Sequence, residues 1–200
     1  LKYINSTFRI QNNAQLLSLD FPQLELIDLM NNNLSIDNNP LLLAIEWNQL
    51  TDIKTNDNYS FYINNNASLE RIELNALEDV ESIFQINSNS SLETIELQQL
   101  VNVHRRFFIN NNDALTSLTA PQLFSVGDYL FSGTSFDIYN NTLLSNLDLS
   151  SFRKAYGGLN VTSNNSLDTS TAFPCELYVF YNDGFDCNPG TVSVGGNLDN

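Results

Sequence analysis

One string returns along almost the whole chain: F-x-I-x-N-N-x-x-L-x-x-L-x-L-x-x-L-x-x-I, with conservative swaps. The first copy carries Phe8, Ile10, Asn12, Asn13, Leu16, Leu19, Phe21, Leu24 and Ile27, and later copies open at Leu34, Phe61, Phe84, Phe107 and Phe136 in the same phase. A seventh decays after Leu159, Val161, Asn164 and Leu167, and an eighth is expected at Leu177, Val179, Asn182 and Phe185. Leu1 with Ile4 matches the tail of another copy, so the chain reads as starting inside an array. With the Leu after the Asn pair as anchor, positions 16, 42, 69, 92, 115, 144 and 167 are spaced by 26, 27, 23, 23, 29 and 23 residues. Every excess over 23 falls at one corner: Asp28 to Asn33, Lys54 to Ser60, and Gly127 to Ser135. Insertions confined to one corner are what a coil with fixed walls tolerates.

Within each copy the apolar residues alternate at period 2, as in Phe61 with Ile63 and Ile72 with Leu74, which marks short strands with one face inward. A copy of short strands cannot bury that face alone, whereas copies stacked about 4.8 Å apart share one apolar core. The expected fold class is all-β: a parallel β-solenoid of about eight turns of a 23-residue repeat, one domain over residues 1–187, with 188–200 as tail or linker. Asparagine supplies 31 of the 200 residues. The Asn pairs fall where the backbone must turn, and stacked side-chain amides there can satisfy orphaned backbone groups and each other.

Charge excludes whole classes of partner. Eight Lys and Arg against 23 Asp and Glu give a net charge of -15, which repels phosphate backbones and anionic headgroups. Nucleic-acid partners and direct membrane insertion are therefore not expected, the latter also because no run of about 20 apolar residues occurs. The single histidine, His104, would have to serve every imidazole-based site, and His104-Arg105-Arg106 reads as a solvated basic corner. Cys175 and Cys187 are close enough in sequence for a short-loop disulfide capping the domain over 175–187, as in an oxidising compartment; two free thiols are the alternative.

Outward positions of a solenoid form columns, because successive turns set equivalent residues side by side. On the second strand the column is Asp20, Glu46, Glu73, Glu96, Thr119 and Asp148, an acidic ladder. It reads either as a solvated face or as a docking surface for a basic partner or calcium. On the first strand Arg9, Asp37, Tyr62, Asn64, Phe108, Asn110, Asp137, Tyr139, Tyr178 and Phe180 set aromatics beside amides and carboxylates, the make-up of a protein- or carbohydrate-binding face. No catalytic residue, cofactor or metal ligand set is identified: Asp37 and Asp137 lie about four turns, roughly 19 Å, apart, too far for a carboxylate pair. Asp183-Gly184-Phe185-Asp186 reads as a calcium turn or a polar cap loop. Of the glycosylation sequons, those at Asn66, Asn89, Asn140 and Asn164 belong to turn pairs and are expected to be buried, leaving Asn5, Asn33, Asn58 and Asn160 as acceptors.

The phrases LSIDNNPLLLAIEWNQLTDI and FFINNNDALTSLTAPQLFSV resemble the receptor L-domain family, leucine-rich-repeat-like β-helices of receptor ectodomains and fungal cell-wall proteins, over about residues 1–187. LTSLTAPQLFSVGDYLFSG is similar to bacterial BspA-like leucine-rich surface proteins. The first resemblance implies a right-handed winding, an extracellular or cell-surface location, and adhesion or ligand binding without catalysis. A structural spacer or cell-wall scaffold is the alternative.

Overall fold

Each copy contributes three short strands, and equivalent strands of successive copies pair in parallel, so the repeat becomes three walls around one core. The computed structural model describes residues 1–29, 32–55, 60–128, 134–168, 178–181, 184–186 and 193–195, with residue 134 and the last three segments described by backbone alone. The first sheet holds Phe8–Gln11, Leu34–Asp37, Ser60–Asn64, Ile83–Asn87, Phe107–Asn110, Thr134–Tyr139, Gly158–Thr162 and Ser193–Gly195. The second holds Ala44–Glu46, Arg71–Glu73, Thr94–Glu96, Ser117–Thr119 and Asn146–Asp148, with Leu19 bridged to Ile45 at its edge. The third runs from Tyr3–Ile4 through Leu26–Asp28, Asp52–Lys54, Asp79–Val80, Asn102–Val103, Ser125–Val126 and Lys154–Tyr156 to Tyr178–Tyr181 and Gly184–Asp186. The protein is thus an all-β solenoid of about six turns, and among the described residues no helix is long and apolar enough to cross a membrane.

Register follows the repeat. Phe61, Phe84, Phe107 and Phe136 are aligned partners, as are Ile63, Ile86, Ile109 and Ile138, and all eight are fully buried. Their ring column continues to Phe152, with centroids 5.2, 5.5, 5.4 and 4.9 Å apart in turn. Trp47, at an inward position after the strand Ala44–Glu46, is fully buried and donates its Nε1–H to the Leu19 carbonyl at 3.2 Å.

The Asn pairs divide the work of turning. The first member takes a left-handed conformation, with φ between 55° and 59° at Asn12, Asn38, Asn65, Ser88, Asn111, Asn140 and Ser163. Asn tolerates that region better than other side chains. The second members stack as a ladder through Asn13, Asn39, Asn66, Asn89, Asn112, Asn141 and Asn164, buried from Asn39 onward. At Asn89, Oδ1 accepts from the Asn66 backbone N–H (3.0 Å) and Nδ2 (3.2 Å), while its own Nδ2 donates to the carbonyls of Ile63 and Asn87, both at 3.0 Å. Each rung therefore closes its own turn and clamps the two beside it. Where the long insertion leaves the third wall, Gly127 has φ 86°, and a Cβ there would meet the Tyr156 carbonyl at 2.4 Å.

Two stretches of the C-terminal region differ from expectation. The eighth copy was expected to place Val179 on a first strand, yet Val179 pairs with Ala155 in the third sheet. Val179 follows its anchor Leu167 by 12 residues, close to the 11 that separate Leu144 from Ala155, which is the spacing of a third strand. Ser193–Gly195, inside the stretch read as a tail, pairs in parallel with Asn160–Thr162 and continues the first sheet. Cys175 and Cys187 lie outside the described residues.

Replacing Asn89 by Ala strands several buried backbone groups at once and is expected to cost about 3–5 kcal/mol, measured as a fall in the urea unfolding midpoint. Ser88→Asn puts a side chain suited to the left-handed turn beside Asn65 and Asn111, and is expected to raise the Tm by about 1–3 °C.

Candidate functional site

The outer face of the first sheet presents two columns in register. One is Arg9, Ser35, Tyr62, Gln85, Phe108, Asp137 and Asn160; the other is Gln11, Asp37, Asn64, Asn87, Asn110, Tyr139 and Thr162. Eight of the ten expected face residues stand here together. Tyr178 and Phe180 do not: their strand pairs with Lys154–Tyr156 in the third sheet, so they belong to a different wall. Alternation alone marks an outward residue but not which wall it faces from.

Not every outward position is open to a ligand. Ser35 and Asn110 are buried. With its amide oriented to donate, Asn110 bonds the carbonyls of Ile109 (2.9 Å) and Asp137 (3.2 Å), so it serves the backbone. Asp37 accepts from Asn65 Nδ2 at 2.9 Å, and Gln11 Nε2 donates to Ser35 Oγ at 2.6 Å. The most concentrated chemistry lies at the strands Phe107–Asn110, Thr134–Tyr139 and Gly158–Thr162. There Arg106 places its guanidinium 5.4 Å from the Phe108 ring centre, Asp137 stands beside Phe108, and Asn160 Nδ2 donates to Asp137 Oδ1 at 2.7 Å. Burial pushes the Asp137 carboxyl above its ordinary range, and the Asn160 bond and the Arg106 charge offset this only in part. Arg106 is the residue that the sequence reading missed. It precedes the strand's first inward residue, Phe107, at a position outside the two columns of the face.

The acidic ladder is real as a register: Glu46, Glu73, Glu96, Thr119 and Asp148 are aligned partners, with Asp20 following the Leu19 bridge. Repulsion along it is relieved locally. Arg71, two residues before Glu73 on the same outer face, donates through Nε to Glu46 Oε1 at 2.6 Å and lies 3.8 Å from Glu73. Amides from the preceding turn reach the same column, with Asn48 Nδ2 to Glu73 at 3.5 Å and Asn75 Nδ2 to Glu96 at 3.4 Å. Among the described residues no group of three or more His, Cys, Asp or Glu comes together to hold a metal, so the calcium expectation finds no convergent ligand set here. Parallel side chains rising from a sheet point alongside one another and do not converge.

The basic corner is partly solvated, as expected, with His104 exposed, but each of its side chains also has a partner. His104 Nε2 lies 3.1 Å from Asp79 Oδ1, Arg105 lies 3.7 Å from Asp128, and Arg106 covers Phe108. Asn102 also donates to Asp79 Oδ1 at 3.3 Å and accepts from Ser125 Oγ at 2.8 Å. Asp37 and Asp137 lie on strands separated by three others and in different columns, so they form no acid pair. Among the sequons, Asn66, Asn89 and Asn164 are buried rungs. Asn140, expected to be buried, is a first member of its pair and partly exposed, donating to Asn111 Oδ1 at 2.8 Å. Asn5 is exposed, Asn33 accepts from the Ser60 N–H at 2.7 Å, and Asn58 lies outside the described residues.

No family model matches the chain, and neither does a curated protein or a solved structure.

The Asp79 bond holds the His104 imidazole above its ordinary 6.5, with Glu81 and Asp128 adding to it. Burial works to raise the Asp79 carboxyl, but the bonds from His104 and Asn102 more than reverse this and hold it below 3.8. The histidine's contribution is full below pH 6.5 and disappears as pH rises through its folded value; the aspartate's is full above pH 3.8 and disappears as pH falls through its folded value. The pair therefore stabilises most between these limits, by about 1 kcal/mol or less given its exposure to solvent. Urea titrations at pH 6 and pH 8 are expected to show this loss in the native chain and not in His104→Gln.

Proposed function

We propose that this chain is a non-catalytic recognition or adhesion module, secreted or displayed at a cell surface, that binds protein or glycan through the outer face of its first sheet. In this reading the winding is right-handed and runs to about eight turns, in the manner of the receptor L domains that its repeat phrases resemble, and it forms part of a larger surface protein. The carrying observation is the half-buried Asp137 among Phe108, Arg106 and Asn160. A side chain whose only task was to face solvent on a β-wall would not keep a carboxylate in surroundings that raise its proton affinity. Rigid aromatic surface beside a carboxylate and amides offers both contact area and directional hydrogen bonds.

A spacer or wall scaffold is the second reading. It is favoured by the bonds that tie outward side chains to the next turn, Gln11 to Ser35 and Asn65 to Asp37, which stiffen the rod.

Glycan and protein arrays separate the two. Binding is expected to fall at least about tenfold in Phe108→Ala and Tyr62→Ala while the fold is retained. Asp137→Asn is expected to weaken binding and yet raise the Tm at pH 7, because the ionised carboxylate is the destabilised form. An array blank for the folded native chain, or binding indifferent to all three changes, supports the spacer.

A further inference from the structure

The outer face of the third sheet changes character along the rod. Three columns run along it in register. The first is Thr51, Glu78, Val101, Phe124 and Arg153, joined by backbone bonds of 2.8 to 3.0 Å. The second is Asp52, Asp79, Asn102, Ser125 and Lys154, and the third is Lys54, Glu81, His104, Gly127 and Tyr156. The turn of Glu78, Asp79 and Glu81 is wholly acidic, and the turn of Arg153 and Lys154 is cationic. Between them Val101 and Phe124 stand exposed at 38% and 40%. Lys2, Arg71 and His104 each hold a carboxylate partner elsewhere on the molecule. Glu78, by contrast, is exposed with no ion pair among the described residues. Lys154 has the Phe124 ring, 5.2 Å from its centre, and no carboxylate among the described residues. Arg153 Nη1 donates to the Ser150 and Phe152 carbonyls at 3.0 Å, which holds its guanidinium at the wall.

We propose that this face docks on a second copy of itself. The two chains pack third wall to third wall with their rods antiparallel, about a two-fold axis that runs along the strands between the turns of Val101 and Phe124. That axis keeps each column opposite its own equivalent and exchanges the turns. Phe124 meets Val101 of the second copy, so the exposed apolar pair closes over itself. Glu78 faces Arg153 of the second copy and Asp79 faces its Lys154, and two-fold symmetry makes each contact twice. Glu81 falls opposite Tyr156, and His104 opposite Gly127 beside Asp128, so among the described residues of these turns no like charges are opposed. Moving the axis half a turn either way loses the match: Glu78 then meets Phe124, or Val101 meets Arg153. The net charge of -15 acts against self-association, but it is spread over the whole rod. At 0.15 M salt, charges farther apart than about 8 Å are largely screened, whereas the facing pairs lie within that range. The five turns from Asp52 to Lys154 make a contact about 24 Å long, small for a protein interface, so a Kd of about 10–100 µM is expected. The first wall is not part of this contact, and the pairing does not depend on what that wall binds.

The test is sedimentation velocity of the native chain at 0.15 M salt, which is expected to pass from monomer to dimer between about 5 and 300 µM. Glu78→Arg alone and Arg153→Glu alone are each expected to weaken association at least about tenfold, because each sets like charges face to face at two places. An equimolar mixture of these two variants is expected to dimerise again, since each supplies the charge that the other needs at both contacts. Phe124→Ser is expected to weaken association with the far-UV circular dichroism unchanged. A native chain that stays monomeric at about 300 µM overturns the proposal. So does a dimer that survives both single charge reversals, or one that the mixture fails to restore.

Discussion

The buried asparagine ladder is the interaction on which the rest of the solenoid depends. A parallel coil must turn its backbone sharply three times per circuit, and each turn leaves polar groups facing inward without a strand to pair with. At the first of these corners an Asn side chain supplies both what the backbone lacks and what the next rung needs. Asn112 donates to the Ile86 and Asn110 carbonyls at 3.2 and 3.1 Å and accepts from the Asn89 N–H at 3.1 Å. A carboxylate lacks the donors and a hydroxyl the reach, so the amide is the one short side chain that fits both demands. The asparagine excess, odd as composition, is in part the cost of stacking turns whose corners point into an apolar core.

With the corners closed this way, the walls need only be apolar inward. The inward columns are near-uniform in type, and ring stacks run through several turns because the register repeats faithfully. Among the described residues the corner between third and first strands carries no such ladder, and it is the one that takes insertions. There the chain bridges instead by local devices: Gly127 at φ 86°, the Asn33 side chain on the Ser60 N–H, and the His104–Asp79 bond. Variation is tolerated where nothing periodic has to be satisfied.

The periodic part of the molecule was legible from the sequence for that reason. Anchors from Leu16 to Leu167, the first and second strands of each copy, the Asn turns and the alignment of Glu46, Glu73, Glu96 and Asp148 all follow from one spacing applied repeatedly, whereas the third strand of each copy did not read. What else failed to read is what does not repeat. Arg71 and Arg106 act on columns other than their own, reaching sideways to Glu46 and Phe108, and single-column reasoning cannot see a diagonal contact. Asn110 carries an outward position's alternation yet is buried by its neighbours, a property of side-chain size on adjacent turns. Tyr178 and Phe180 were assigned to the wrong wall because three walls share the same period-2 signature, and the distance to the nearest anchor was the only cue that separated them.

The same division bears on function. A side chain in a column has its neighbours chosen for it by the register, so functional singularity must come from places where the column is broken. On the first sheet the break is at Phe108 and Asp137, where an aromatic and a carboxylate interrupt a mainly amide and hydroxyl face and an arginine from the non-periodic corner folds over them. On the second sheet it is Arg71, a cation in an otherwise uncharged or acidic setting, but there the charge is consumed by Glu46 and Glu73. The first break leaves an aromatic edge, an incompletely neutralised carboxylate and adjacent amides facing solvent. The second leaves a closed ion-pair cluster. Among the described residues the irregularity on the first sheet leaves an aromatic, a carboxylate and amides together at the surface, and that is why the proposed recognition face is put there and not on the more heavily charged wall.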